Sequence, residues 1–219
     1  MKRPGGFEVY FDFDNTISEF DVLDDLIARF SIDEKWKEAE AEWQAGKIGS
    51  RQCLERQMAG VRIAPEKLQE YLEGIHIDPS FSRIVEMLKN RGIEVAILSD
   101  SFVPMIERVL RNHRVGGIPI YANEFRVEGD RLIVSFPYFN AICSVSGNCK
   151  CSHLFRRNRP EGTKKVYIGD GRSDVCPAAF CEILFAKNGL LRHYASSRPD
   201  CIPFETLGTV HSHLETLLS

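Results

Sequence analysis

Four short apolar runs restrict the fold of this chain more than any other feature. They are FEVYFDF (7–13), IEVAILS (93–99), KKVYIGD (164–170) and EILFAK (182–187). Each is apolar on both faces, as a strand is when helices cover both sides of a parallel sheet. Helical periodicity separates them. FSRIVEMLKNRG puts Phe81, Ile84, Val85 and Leu88 on one face, with Gly92 as its stop. FVPMIERVLRNH does the same with Val103, Ile106, Val109 and Leu110. Strand alternating with helix predicts an α/β fold, an open parallel sheet sandwiched by helices.

Two intervals depart from that alternation. Roughly eighty residues separate the first two runs, where a crossover helix needs about 12. Residues 20–78 carry helical stripes: Val22, Leu23, Leu26, Ile27 and Phe30, then Leu54 with Met58, and Leu68 with Leu72 after Pro65. They predict a small helical subdomain at 20–78, inserted into an α/β core formed by 1–19 and 79–219. Trp36 and Trp43, two turns apart, read as that subdomain's core rather than as a ligand-stacking surface. The second interval predicts a β-hairpin from Phe125 to Val127 and Leu132 to Val134, turning at Glu128-Gly129-Asp130.

A chain of 219 residues suffices for one core plus a small second one, and 43% hydrophobic with 27% charged residues reads as an ordinary soluble protein. A net charge of −3 gives no general attraction to nucleic acid or acidic membranes. No apolar run approaches the ~18 residues of a membrane span, and MKRPGGFEVYF lacks a signal peptide's layout. Seven cysteines, an odd number, predict free thiols in a reducing cytoplasm.

In open α/β sheets ligands bind beyond the carboxyl ends of the strands. The first run ends in Asp12 and Asp14, the second in Ser99-Asp100-Ser101, and the third in Gly169-Asp170-Gly171 with Asp174 just beyond. Two carboxylates two residues apart on a strand share a side and repel. Either a cation lies between them, one holds a proton, or they merely cap the turn. Four acids converging with hydroxyls and glycines supply the hard oxygen ligands that Mg²⁺ prefers.

These stretches resemble the motifs of the haloacid dehalogenase (HAD) superfamily of phosphatases. DFDNT matches its Asp-x-Asp-x-Thr, VAILS its strand ending in Ser or Thr, and GDGRSD its Gly-Asp-x-x-x-Asp. A lysine forms the remaining motif, and Lys150 in GNCKCSH has the right context, ahead of its rivals Lys164 and Lys165. The resemblance implies that Asp12 attacks phosphorus and forms an aspartyl-phosphate. Asp14 then serves as acid and later base, which requires a raised pKa. Ser99, Lys150 and the backbone N–H of Asn15 would hold phosphate, while Thr16 braces the loop. Mg²⁺ would take Asp12, the Asp14 carbonyl and Asp170, with Asp174 as a ligand or as support for the others. The inserted helices imply the C1-capped branch. This branch includes the phosphoserine phosphatases, but SDSF stands where they usually have Ser-Gly-Gly-Phe. NCK with YIGDGRSDVCPA resembles the group that holds the phosphocholine/phosphoethanolamine and methionine-salvage (MtnX-type) phosphatases. The implied partner is a small soluble phosphomonoester, with no nucleic acid and no membrane. A non-catalytic phosphometabolite-binding module and a phosphotransferase stand as alternatives.

Other residues keep two readings. Asp21 stands where phosphoserine phosphatases read the substrate amine, and it also suits an N-cap before Val22. Asp100 and Ser101 either line the pocket or cap the next helix. Cys143, Cys149, Cys151 and His153 are either thiols and a histidine without metal or, with an unusual spacing, a zinc site. Arg156, Arg157 and Arg159 read as a solvated basic face rather than an anion site.

Overall fold

A computed structural model of the chain describes residues 6–143, 146–155 and 162–218. Arg156, Arg157 and Arg159 lie outside the described residues. The sheet has seven strands: β1 (Phe7–Phe11), β2 (Glu94–Phe102), β3 (Ile120–Glu128), β4 (Arg131–Ser135), β5 (Lys164–Gly169), β6 (Ile183–Ala186) and β7 (Ile202–Pro203). Their order is β4-β3-β2-β1-β5-β6-β7, and every neighbouring pair is parallel except β3 with β4. This is the α/β sheet that the apolar runs predict.

Side chains alternate between its two faces, as the strand period of two requires. Val9, Phe11, Val166 and Ile168 face one core. That core is covered by α5 (Ser80–Asn90), α6 (Val103–Asn112) and α10 (Leu207–Leu217). Tyr10, Leu98 and Tyr167 face the other, under α7 (Lys150–Phe155), α8 (Val175–Ala178) and α9 (Asn188–Tyr194). The alternation therefore sends Tyr167 to the side from which α7 and α8 approach.

The interval after β1 holds α1 (Val22–Phe30), α2 (Lys35–Gln44), α3 (Ser50–Gly60) and α4 (Pro65–Glu73). The stripes Val22, Leu23, Leu26 and Ile27, Leu54 with Met58, and Leu68 with Leu72 are all buried. Of the two tryptophans, Trp36 packs against the core as expected and Trp43 departs. Ala39 is the buried residue of α2, and both rings are half-buried. Trp43 lines a cavity and lies under the Arg172 guanidinium, 5.5 Å from ring centre to Cζ. The reason is that α2 packs on α3 along one narrow flank, so its other flank is left to the gap above the sheet.

Two further differences matter for the site. β2 does not end at Ser99 but runs on to Phe102, and its register against β3 shifts between Leu98 and Phe102. Such an irregularity re-aims side chains near the end of a strand. The hairpin is longer than predicted, and β3 also joins the main sheet beside β2. It and the segment after it prop the inserted helices: Ile63 N–H donates to the Asp130 carbonyl at the hairpin turn, and Arg51 stacks over Phe139 beyond β4 at 4.5 Å. Among the described residues no helix is long and apolar enough to cross a membrane.

Candidate active site

The carboxyl ends of β1, β2 and β5 meet at a cavity of about 170 Å³ roofed by α1, α2 and α3. Its floor is built around Lys150, the first residue of α7. The ammonium donates to Asp12 Oδ1 at 2.8 Å, Asp174 Oδ1 at 2.7 Å and Ser173 Oγ at 2.9 Å. Its three protons are thus all directed at protein acceptors, and its side chain is 2% exposed. Burial alone would lower its pKa, yet Asp12, Asp174 and Asp100 hold it above the ordinary lysine value. Lys164 and Lys165 open β5 at the opposite end of the strand, where Lys165 bonds the Phe180 carbonyl.

One cation faces too many acids. Oxygens of Asp12, Asp170 and Asp174 lie within 4.8 Å of one another. Burial and the Asp174 charge raise Asp12 well above the usual carboxylate range, with Lys150 opposing them. Asp170 is pushed up to about 6 by burial and then by Asp174. With all three ionised, one lysine leaves the trio two positive charges short, and hard carboxylate oxygens fit a small divalent cation.

Asp174 is the least free of the three. Its Oδ1 accepts from Lys150 and from the Tyr167 hydroxyl at 2.6 Å. Its Oδ2 accepts the N–H groups of Asp170 at 3.0 Å and Gly171 at 3.1 Å. Four donors fill a carboxylate. Of its two readings the bonding therefore favours support, leaving Asp12 and Asp170 as the side chains that could hold Mg²⁺. Gly169 makes this possible, because a Cβ there would stand 2.5 Å from Asp174 Oδ2.

Asp14 turns away from this cluster. Its Oδ1 accepts from the N–H groups of Val22 at 3.0 Å and Leu23 at 3.4 Å, at the start of α1. Its carboxylate is not in the acidic group compact enough for an ion, so the carbonyl is the Asp14 group that the resemblance offers a cation. Burial, Asp21 and Asp12 raise its pKa well above the ordinary value, while the two N–H bonds pull the other way. A raised pKa is what the acid role requires.

Asn15 lines the cavity with a left-handed backbone (φ 53°), but its N–H donates to the Phe20 carbonyl at 3.3 Å. That N–H therefore closes the loop, and a phosphate at the cavity would have to share it. Thr16 is corrected. Its hydroxyl is buried with no partner among the described residues, and Ser18 Oγ braces the loop through the Phe13 and Phe20 carbonyls.

Ser99 Oγ lines the cavity and accepts from Ser101 N–H at 3.0 Å, which leaves its own proton to donate. Asp100 and Ser101 line the cavity as well, and α6 has no side-chain cap, so the capping alternative falls for both. Asp21 is a helix cap that also faces the cavity, accepting from Asp24 N–H at 2.8 Å at the start of α1.

The zinc reading is not supported. His153 Nε2 bonds Asn148 Oδ1 at 2.9 Å, and its ring stacks on Tyr121 at 4.5 Å. Among the described residues the acidic trio is the group compact enough for a metal ion.

Sequence reasoning missed several residues. Asn148 pins the loop before α7 by donating to the Ser99 carbonyl at 2.8 Å and the Tyr121 carbonyl at 2.7 Å. Ser173 and Tyr167 complete the Lys150–Asp174 network. Tyr167 was visible as a strand residue, but its partner depends on a fold contact. Arg172 joins the core to α2 by donating to the Gln44 carbonyl at 2.6 Å, besides covering Trp43.

A family model described as Putative Phosphatase matches residues 7–188. The chain is 29% identical to Pdp3-interacting factor 1 of Schizosaccharomyces pombe over 95% of each chain. It is 24% identical to the 2-hydroxy-3-keto-5-methylthiopentenyl-1-phosphate phosphatase of Brevibacillus brevis, over 95% of this chain and 94% of that one. A substrate-bound phosphoserine phosphatase structure superposes with a TM-score of 0.73 at 20% identity, covering 96% of this chain and 99% of that one. The fold is that of the HAD-type phosphoserine phosphatases.

Proposed function

As a member of the Putative Phosphatase family the chain is a phosphatase, and we propose that it hydrolyses a small soluble phosphomonoester in the cytoplasm, with Mg²⁺ and through an aspartyl-phosphate on Asp12. The observation that carries this reading is the bond from buried Lys150 to both Asp12 and Asp174, beside Asp170, at the carboxyl ends of the strands. We take residues 20–78 as a cap on a core of 1–19 and 79–219.

A phosphate monoester is a dianion with a poor leaving group, so catalysis rests on positioning and charge. Lys150 holds Asp12 Oδ1, and among the described residues no donor reaches Oδ2, which remains for in-line attack on phosphorus. As that bond forms and the ester P–O bond breaks, Asp14 gives its proton to the leaving oxygen. The Asp14 carboxylate next takes a proton from water, which attacks the phosphorus, frees phosphate and restores Asp12. The Ser99 hydroxyl donates to the transferring group. Lys150 acts on it as fixed charge, since its protons are committed to the protein. Mg²⁺ held by Asp12, Asp170 and the Asp14 carbonyl would supply the missing positive charge against phosphate.

The cavity favours an amine-bearing leaving group. Asp21, Asp24 and Glu40 line it beside Trp43, and among the described residues none of the three forms a salt bridge. Asp24 is pushed up to about 7 by burial and then by Asp21 and Glu40. An ammonium group would relieve that repulsion and could stack on the indole. Phosphoserine, phosphoethanolamine and phosphocholine fit this better than an enol-phosphate whose leaving group carries no positive charge.

The test is phosphate release from these esters, pyridoxal phosphate and the methionine-salvage enol-phosphate, each with Mg²⁺ and with EDTA. Magnesium-dependent release led by an amine ester is expected. Release unaffected by EDTA would refute the metal, and a preference for the enol-phosphate would refute the amine. No phosphate release combined with tight ester binding would favour a binding module. Transfer to an added alcohol in preference to water would favour a phosphotransferase.

A further inference from the structure

Cys151 and Cys176 bring their Sγ atoms within 2.9 Å of each other. Cys151 follows Lys150 on α7, and Cys176 lies in the first turn of α8, two residues after Asp174. Cys176 is exposed on a groove beside the site, and Cys151 is half-buried. All seven cysteines are free thiols.

The separation decides between two thiol chemistries. Two thiolates on a tetrahedral zinc ion, with bonds of about 2.3 Å, stand about 3.8 Å apart. A disulfide holds its sulfurs about 2.05 Å apart. At 2.9 Å the pair is already closer than zinc ligands, and about 0.9 Å of movement completes the bond. Among the described residues no third sulfur joins them in a group compact enough to hold an ion.

We propose that Cys151 and Cys176 are an oxidative modification site, forming a reversible disulfide when the protein meets a hydroperoxide. The exposed Cys176 sulfur attacks the peroxide O–O bond and becomes a sulfenic acid, while the other oxygen leaves as water or an alcohol with the thiol's proton. Cys151 sulfur then attacks the sulfenic sulfur. The S–S bond forms, the S–O bond breaks, and water departs with the second proton. Two thiols lose two electrons and one peroxide gains them.

The bridge would act where the site is least tolerant. Cys151 neighbours Lys150 and Cys176 follows Asp174, and these two partners form a 2.7 Å ion pair. Drawing α7 and α8 together by a fraction of an ångström moves that pair, and displacements of about 1 Å can cost on the order of 100-fold in rate.

Purified full-length protein is treated with hydrogen peroxide, and the thiols are counted after denaturation before non-reducing peptide mass mapping. Seven thiols should fall to five, with a single Cys151–Cys176 linked peptide that dithiothreitol releases. Cys176→Ser should keep both peptides separate, and Cys201→Ser should still bridge. Retention of all thiols, pairing of Cys151 with Cys143 or Cys149, or one bound zinc per chain would overturn the proposal. These readouts need no substrate, so they stand apart from the phosphatase reading. Resting on that reading, the bridged protein should release phosphate at least about five-fold more slowly until reduced. An unchanged rate would overturn the coupling to Lys150.

Discussion

Replacing Lys150 with methionine removes the one cation shared by two buried carboxylates. Its side chain is 2% exposed, and those of Asp12 and Asp174 are 7% and 0% exposed. Breaking a buried ion pair by deleting one partner costs about 3–5 kcal/mol. For a domain of this size each kcal/mol lowers Tm by about 2–4 °C, so a fall of about 6–20 °C is expected by calorimetry at pH 7.5. The loss should shrink at acid pH, where both carboxylates are protonated and no longer need a counter-charge. Asp174→Asn in the same background completes a double-mutant cycle. Because the two side chains touch at 2.7 Å, the double variant should be more stable than the sum of the single losses by at least about 1.5 kcal/mol. Phosphate release should vanish in all three variants. A stability loss under about 1 kcal/mol for Lys150→Met, or additivity within about 0.5 kcal/mol, would refute the electrostatic account of the site.

Other perturbations test the site's separate parts. Asp12→Asn should abolish phosphate release, by at least about three orders of magnitude, without lowering Tm, because it removes one of several mutually repelling acids. Asp14→Asn should cost about 10²–10⁴ in kcat, and the wild-type kcat should fall as pH rises through the raised pKa of Asp14. Without metal, stability itself should fall with pH. Asp170 is raised from 3.8 to about 6 on folding, so the folded state binds its proton more tightly. That stabilisation is present below pH 4 and lost as pH passes 6, a change on the order of 3 kcal/mol. Saturating Mg²⁺ should offset the loss, and a Tm at pH 8 indifferent to Mg²⁺ would count against the site. Arg172→Ala should raise KM and lower kcat by a few-fold through loss of its hold on Gln44 and Trp43; unchanged kinetics would show that this contact does not matter. Gly169→Ala should cost several kcal/mol, because its Cβ would meet Asp174 Oδ2 at 2.5 Å.

Much of this molecule was legible in one dimension because its signals are local. Strands buried on both faces must be apolar throughout, so β1, β2, β5 and β6 stood out, and their polar ends marked the residues gathered at the cavity. The stripes of α1, α3 and α4 followed from the helical period. What remained hidden depends on contacts between distant residues. Asp100 and Ser101 read as lying beyond the strand because a register shift against β3 has no sequence signature. Trp43 read as core because periodicity gives a helix's apolar side but not what stands opposite it. Asp174 stayed ambiguous between ligand and support until four donors were seen to fill its oxygens, two of them from Lys150 and Tyr167 on other elements. Thr16 sat in the right motif, yet whether its hydroxyl is bonded is decided by the fold of one loop. Sequence determined which chemical groups are carried to the strand ends, because burial and chain direction are written in local composition. Tertiary structure alone decided which of them are already satisfied, because a hydrogen bond needs a partner within about 3 Å and sequence separation says nothing about that distance.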